Sequence, residues 1–487
     1  MLTALVAGGL VTALEAAPTD TVTQADLQAL IERITKLEAE NQAQAKRIAE
    51  LEGKATVVPA KSGEADAMVV TEEGTTVSES GRVFKTAQGF QYYLADKFAG
   101  IFEPLSDNGL KITPYGWLAA EAVYNTHSTE VDVYSDYVRP KSARSYKNNT
   151  AVLSMQDSIL GIRFETPEAD HGWTFAGKAE FDFAGDHAND YAFHWRHLYT
   201  EASHDSGWSI LFGQTWHLWK MVTPSEIDGA WMENTGHPYR RSPQLRVTKK
   251  WKFDDESSLE ARIGIVKNGP GMGGDRDGDG NQDNSASAWG LVEGALLYDR
   301  KASWEEGDRR WLVGIAGMYG RDRSHGASAW DADGMPTAFD GSTDEYDSQM
   351  LMIAAKIPFL DKFMLTGQFF AGENLGGVQA GVGQRVAFRP DHKRGTCVQT
   401  MGGFVDLGYE LDAKWSFAIG YGFDDPNDSD AHYASGICYN DRAYIDAFYR
   451  VNANLHFCLE YGYLTTKYYD EGRSNDNRIQ FTALYDF

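Results

Sequence analysis

Basic side chains recur at every second position of several predicted strands, and this spacing carries the clearest chemistry in the chain. Residues two apart on a strand point to the same face, so such side chains form a row on one wall. Cationic groups lining a water-filled passage lower the energy of an anion without binding it tightly. The candidates on predicted strands are Arg163, Lys178, His194, Arg196, Arg246 and Lys250.

The long segment 217–242, between two of these strands, adds further charged side chains. It contains the bases Lys220, Arg240 and Arg241 together with acids such as Glu226. A mixed set of this kind could create a field across a passage. In an alternative interpretation, which stays open, the bases only neutralise acidic side chains of a solvated interior. The first interpretation predicts a preference for anions, and the second predicts none.

A separate cluster of acids lies in the stretch G-G-D-R-D-G-D-G-N-Q-D-N, at 273–284. Alternate carboxylates in a tight turn can converge on one hard cation, and Gly280 permits the bend. The position that normally supplies a bidentate glutamate is Ala286. The stretch therefore predicts either a weak Ca²⁺ site or an acidic loop without metal. The candidate ligands are Asp275, Asp277, Asp279, Asn281 and Asp283.

The chain has three cysteines. Cys397 and Cys438 fall near external loops that we expect to be neighbours, and an oxidising compartment would favour a disulfide between them. Cys458 is expected to remain a thiol. The alternative is that all three are thiols.

Enzyme chemistry is not predicted. His194 and His197, or His456 with Glu460, lack a nucleophile or a metal-ligand companion that the sequence places nearby. The formal charge of −25 argues against a nucleic-acid partner.

The elements that would position these residues are strands. Aromatic residues make up 13% of the chain, with 49 Gly and only 14 Pro, a composition that suits many strands joined by turns. About sixteen strands follow Leu110, and short connections largely alternate with long ones. An even number of strands with this alternation is typical of an outer-membrane barrel. We therefore predict an all-β transmembrane barrel of antiparallel strands over 110–487; a soluble two-sheet sandwich is the alternative.

The final strand ends on Phe487, an aromatic residue at the free carboxylate. In a barrel the last strand pairs with the first, and its end lies in the aromatic girdle at the edge of the lipid. A soluble sandwich gives this residue no role.

The N-terminal part predicts three different segments. Residues 1–17 have the apolar core of an export signal peptide, although no Lys or Arg precedes it; a short buried helix is the alternative. Residues 54–109 are predicted to be a linker and an irregular segment that could plug the barrel.

In residues 22–53, between the signal peptide and the linker, apolar residues recur with a period of seven. This pattern predicts a periplasmic α-helical coiled coil. Asn41 and Gln44 form a polar layer in an apolar seam, which fixes register and oligomeric state. A wide apolar face favours three helices, hence a homotrimer, over a surface helix on a globular domain. The apolar seam positions are Leu27, Leu30, Ile34, Leu37, Ile48 and Leu51.

Several motifs resemble those of the DcaP-type trimeric outer-membrane porins. These are L-F-G-Q-T-W at 211–216, T-P-S-E-I-D at 223–228 and R-S-P-Q-L-R-V-T at 241–248. K-A-E-F-D-F at 178–183 and H-W-R-H-L-Y at 194–199 also match. The phosphate-selective porins have a similar plan and remain a second possibility.

This resemblance implies a trimeric barrel in outer-membrane lipid that passes small anions, including dicarboxylates, by passive diffusion. In sixteen-stranded porins generally, the third external loop folds into the pore, and 217–242 would take that place here. A terminal aromatic such as Phe487 is what the barrel-assembly machinery reads in such proteins. A structural protein, with its coiled coil in contact with the cell wall and little transport, is the alternative.

Overall fold

A computed structural model describes residues 110–166, 170–185, 191–267, 290–302, 309–330, 336–389 and 395–487, with the backbone alone for 323–344. It also describes one short ladder between Val69–Val70 and Thr76–Val77. The predicted signal peptide (1–17), coiled coil (22–53) and most of the linker (54–109) lie outside these residues. In the described part of the chain, no helix has the length and apolar character needed to cross a membrane.

Sixteen antiparallel strands close into a barrel, which confirms the predicted antiparallel barrel. Strand β2 is made of two segments, and every other strand is continuous. The first eight strands are β1 (Lys111–Asn125), β2 (Thr150–Ser154 and Ile159–Glu165), β3 (Trp173–Asp182), β4 (His194–His204), β5 (Trp208–Trp216), β6 (Arg241–Lys252), β7 (Ser257–Val266) and β8 (Leu291–Lys301). The remaining strands are β9 (Arg310–Trp330), β10 (Pro336–Phe359), β11 (Phe363–Glu373), β12 (Gln399–Glu410), β13 (Trp415–Pro426), β14 (Ile437–Arg450), β15 (Leu455–Tyr468) and β16 (Gly472–Asp486).

Helical structure in the described residues is confined to short turns. These are two 3₁₀ turns, Asp170–Gly172 and Gly376–Val378, and the helix α1 (Asp428–Ala431). A small ladder between Val386–Ala387 and Thr396–Cys397 lies in the connection after β11.

The barrel closes where β16 pairs with β1, with Phe481 opposite Ala122. The backbone N–H of Phe487 donates to the carbonyl of Gly116 at 3.1 Å, and the N–H of Gly116 donates back at 3.3 Å. A Cβ on Gly116 would lie 2.3 Å from the Ile159 carbonyl and 3.0 Å from the Phe487 ring. The terminal aromatic therefore packs over a glycine at the seam.

Side chains alternate between an apolar outside and a polar inside, as the sequence pattern predicts. The exposed large side chains on the outer faces are almost all aliphatic or aromatic, and we call them the apolar belt. Such a belt matches a lipid-facing surface rather than the outside of a soluble sandwich. Members on successive strands include Leu118, Ile162, Phe175, Leu198, Phe212, Leu245, Ile263, Leu296, Ile315, Ile353, Phe369, Val405, Ile419, Ile445, Leu459 and Ile479.

The interior is divided into two parts. Beside β7–β11, apolar side chains from the wall and from two connecting segments form a buried cluster that includes Leu218, Trp219 and Phe370. The opposite part, beside β1–β4 and β14–β16, is polar and retains a cavity. A solute path, if present, is therefore displaced to that side of the barrel.

Candidate functional site

The segment 217–240, which we call the inward loop, enters the barrel immediately after β5. Glu293 on β8 accepts hydrogen bonds from the backbone N–H of Leu218 at 2.9 Å and from the indole N–H of Trp219 at 3.1 Å. Both loop side chains are fully buried. The start of the loop is therefore fastened to the wall at its apolar side.

Carboxylates on other strands accept the backbone N–H groups of the same loop. Asp406 on β12 accepts the N–H of Ser225 at 3.4 Å and its hydroxyl at 2.9 Å, and Glu460 on β15 accepts the N–H of Ile227 at 3.0 Å. Asp424 on β13 takes the N–H of Gly236 at 2.9 Å and that of Gly381, from another inward segment, at 2.7 Å. Backbone donors inside a barrel need such partners. These acids therefore act as attachment points rather than as free lumen charges.

Arg442 on β14 is the centre of the loop's ionic attachment. Its guanidinium bonds Asp228 at 2.7 Å and Glu460 at 2.6 Å, and it contacts Glu226 at 2.5 Å. Arg478 on β16 lies 3.2 Å from the same Asp228. All these side chains are at most 2% exposed. Removing one partner from a buried pair costs about 3–5 kcal/mol, because the other charge is left uncompensated.

The inward loop leaves a lumen cavity of about 1280 Å³, which is ample for a small hydrated solute. The walls of β1–β4, β6 and β14–β16 bound it, together with the inward loop and the first long connection, 126–149. Its charged lining comprises Glu121, Glu130, Asp132, Asp136, Arg139, Asp157, Asp182, His194, Arg196, Glu226, Glu233, Arg240, Arg241 and His456.

Four of the predicted pore-lining bases face this cavity: His194, Arg196, Arg240 and Arg241. Arg196 bonds Glu180 at 2.7 Å and Asp182 at 2.8 Å, and His194 lies 3.0 Å from Asp182. Two of the four are therefore balanced by acids, as the alternative interpretation expects.

Arg240 and Arg241 differ from the other two bases because, within the described part of the chain, neither forms a salt bridge, whereas Arg196 and His194 do. Arg240 donates to the carbonyl of Gly377 at 3.1 Å, and Arg241 lies over the ring of Trp216 at 4.3 Å. Among the described residues, Nε of Arg240 and Nη1 of Arg241 have no hydrogen-bond partner. These two guanidinium groups therefore keep donors that a solute could use.

The five remaining predicted bases do not line the cavity. Lys178 pairs with Glu180 at 3.1 Å, and it lies with Arg163 over the ring of Tyr115. Lys220 lies over the ring of Trp216. The last two are on β6: Arg246 donates to the carbonyl of Trp216 at 2.6 Å, and Lys250 lies opposite Glu260 of β7.

Two kinds of inward-facing residue were not predicted from the sequence. His197 is buried and faces inward beside Arg196, because a β-bulge opposite Glu180 and Phe181 interrupts the alternation of β4. Arg442 and Arg478 were also missed, although both sit at inward positions of well-predicted strands. The available signal was a charged residue at an inward-facing position of a strand. The spacing of residues in the sequence could not show that its partner lies on the inward loop.

Burial perturbs the pKa values of several groups in the inward loop and in the first long connection. Burial is the main cause, and the negative charge of Asp228 the second cause, that raises the pKa of Asp136 to about 7. Burial, with the charge of Asp136 second, raises the pKa of Glu233 well above its usual value. Burial, with Lys220 second, lowers the pKa of His237 to about 3. His237 is therefore neutral, and Asp136 can change its charge near neutrality.

Comparison with solved structures adds evidence on the fold. The chain superposes on the outer membrane channel DcaP of Acinetobacter baumannii with a TM-score of 0.60 at 18% identity, covering 78% of this chain and 99% of that one. This chain has the fold of that channel. The resemblance inferred from the motifs is therefore confirmed at the level of fold.

Two other solved structures match less well. An anion-selective porin from Comamonas acidovorans gives a TM-score of 0.49 at 11% identity, covering 78% of this chain and all of that one. OmpT, an outer membrane protein of Vibrio cholerae, gives 0.47 at 12% identity, covering 79% and 99%. No protein-family model matches the chain. No curated protein matches it in sequence.

The predicted disulfide between Cys397 and Cys438 is not formed. The Cys397 thiol donates to the carbonyl of Asp347 on β10 at 3.4 Å, whereas the Cys438 thiol is directed to the carbonyl of Gly436 at 3.8 Å. The two thiols contact different backbone carbonyl groups, since Cys397 lies in the small ladder after β11. Cys458 also remains a thiol, as predicted. The candidate calcium ligands, at 275–283, lie outside the described residues.

Proposed function

We propose that this protein is an outer-membrane porin that passes small hydrophilic solutes by passive diffusion and favours small anions such as dicarboxylates. The apolar belt supports a position in lipid, and the lumen cavity supports a solute path. The anion preference rests on one observation. Arg240 and Arg241 line the cavity with guanidinium nitrogens that no described residue satisfies.

The preference follows from the balance of charge at the cavity. Arg196 and His194 are compensated by Glu180 and Asp182, so they contribute little net field. A dicarboxylate that reaches Arg240 and Arg241 gains charge-assisted hydrogen bonds, which are the stronger kind. Because the site is wide and solvated, attraction stays weak enough for release.

The decisive experiment is conductance of the purified full-length protein in planar bilayers, with reversal potentials measured across a salt gradient. We expect open channels that are more permeable to chloride than to potassium. A cation-selective reversal potential would contradict the anion preference. Complete absence of conductance would favour the structural alternative, in which the barrel anchors a coiled coil that contacts the cell wall.

The same channels can separate the dicarboxylate and phosphate alternatives. In bi-ionic measurements we expect succinate to be at least as permeable as phosphate, because a flexible dicarboxylate can reach Arg240 and Arg241 together. A much higher phosphate permeability would assign the protein to a phosphate-selective class.

We further propose that residues 22–53 form the trimeric coiled coil in the periplasm, and that Phe487 is the assembly machinery's recognition residue. Crosslinking of the full chain in membranes should give a trimer that a chain lacking 22–53 forms less efficiently.

The 275–283 stretch is proposed to bind Ca²⁺ weakly. A chelator should then speed proteolysis between 268 and 289, and unchanged cleavage would argue for a metal-free acidic loop.

A further inference from the structure

Two buried side chains of opposite charge face the lumen cavity with unsatisfied polar atoms. Arg196 on β4 is 5% exposed and Glu121 on β1 is 4% exposed. Among the described residues, Nη2 of Arg196 and Oε2 of Glu121 have no hydrogen-bond partner. Both residues line the same cavity. Unsatisfied buried atoms are uncommon in native interiors and indicate a missing partner.

The cationic side of the cavity is built on aromatic rings. Arg196 lies 5.5 Å above Trp231, and Arg241 lies 4.3 Å above Trp216. These tryptophans pack against each other with ring centroids 6.0 Å apart. The guanidinium groups are held in place by packing, so their open donors have a fixed direction.

The acidic side lies on other elements. Gln480 of β16 donates to Oε1 of Glu121 at 3.0 Å, which leaves Oε2 as the open acceptor. Asp157, between the two segments of β2, accepts the Tyr134 hydroxyl at 2.5 Å and lies beside Glu121. Asp136 and Glu233, from two different connections, line the same cavity. Within the described part of the chain, none of these four carboxyls forms a salt bridge.

We propose that the lumen cavity recognises solutes that carry carboxylate and ammonium groups at the same time, with acidic amino acids such as aspartate as the favoured class. The carboxylates of the solute would meet Arg196, Arg240 and Arg241, and its ammonium group would meet Glu121 and Asp157. This inference rests on the proposed porin function and specifies the solute of the same site.

The arrangement distinguishes aspartate from succinate, which differ by one ammonium group. Succinate is attracted by the guanidinium groups but has nothing to offer the carboxyls on the other side. Aspartate satisfies both sides and aligns its dipole with the field across the cavity. An ammonium beside two carboxyls also relieves their mutual repulsion.

The test measures succinate and aspartate uptake into liposomes that contain the full-length protein. Wild type should pass aspartate several-fold faster than succinate. Glu121→Gln keeps the size of the side chain and its contact with Gln480, but it removes the charge. The aspartate-to-succinate ratio should then fall by roughly threefold, the scale of one partly solvated ion pair, while succinate flux is retained or rises.

The matched control is Asp446→Asn, which removes another buried carboxyl facing the lumen, on β14, outside the cavity lining. Its flux ratio should equal that of wild type. An equal ratio in wild type and Glu121→Gln, with normal succinate flux, would overturn the inference and leave the porin function intact. Absence of flux for both solutes in wild type would overturn the proposed function itself. Circular dichroism of each variant checks that the barrel is formed.

Discussion

Arg442 and Asp228 form a buried hydrogen-bonded ion pair of 2.7 Å although 214 positions separate them in the chain. One belongs to the barrel wall and the other to the inward loop. The pair therefore attaches the inward loop to the barrel wall at β14.

Replacing Arg442 by methionine should release the inward loop. Asp228, Glu226 and Glu460 would lose their shared cation, and the free energy of unfolding should fall by about 3–5 kcal/mol. Where the barrel still assembles, single-channel conductance should rise and fluctuate more than in wild type. Arg473→Met, at an exposed position of β16, is the control and should leave conductance unchanged. A normal conductance for Arg442→Met would show that the pair does not hold the loop.

Gly236→Ala should displace the same loop by a steric route. The φ of Gly236 is +108°, and a Cβ there would lie 2.1 Å from the carbonyl oxygen of Gly403. Gly472→Ala is the matched control, because its φ of +75° is also positive but no atom lies within 4 Å of the added Cβ. The control loses about 1–2 kcal/mol from backbone strain alone, and Gly236→Ala should lose clearly more in urea unfolding monitored by tryptophan fluorescence. Equal losses would mean that the close contact with β12 is absent.

Reversing both unsatisfied guanidinium charges should reverse the ion preference. For Arg240→Glu with Arg241→Glu, we expect the chloride-to-potassium permeability ratio to fall by about tenfold, the effect of roughly 1.4 kcal/mol. Reversal potentials measure the ratio directly. Arg246→Glu with Lys250→Glu changes the same charge outside the cavity lining and should have a smaller effect. A larger effect for Arg246→Glu with Lys250→Glu would place the ion-selective region beside those two residues of β6.

Acidification should increase anion preference. The pKa of Asp136 is raised to about 7 and that of Glu233 is also raised, both chiefly by burial. A carboxyl is neutral below its pKa, so lowering the pH through neutrality removes negative charge from the cavity and leaves the arginines charged. The chloride-to-potassium ratio should therefore rise as the pH falls, and Asp136→Asn should reduce the change. A ratio that falls on acidification would contradict this assignment.

The strands themselves could be predicted because their evidence is local. Alternation of apolar and polar residues along 476–487 or 455–468 follows from a strand with lipid on one side and water on the other. The predicted number of about sixteen strands agrees with the observed barrel, and Phe487 lies at the seam where the last strand pairs with the first.

Only part of the candidate site could be predicted from the sequence. Alternation predicts an inward position for Lys178, where the structure places it, because period two holds wherever the strand is regular. It failed at His197, where a bulge turns two successive side chains inward. It also could not tell which inward bases are neutralised by acids on the same wall and which keep open donors.

The sequence by itself determined the barrel, its apolar belt and the supply of charged residues inside. Only the tertiary structure decided that the inward loop fills one side of the lumen and leaves Arg240, Arg241 and Glu121 around a cavity on the other. The physical reason is the distance along the chain between the residues that interact. Alternation acts between neighbours on one strand, whereas the loop's position depends on Arg442, Arg478 and Asp424, which reach it only after sixteen strands have closed.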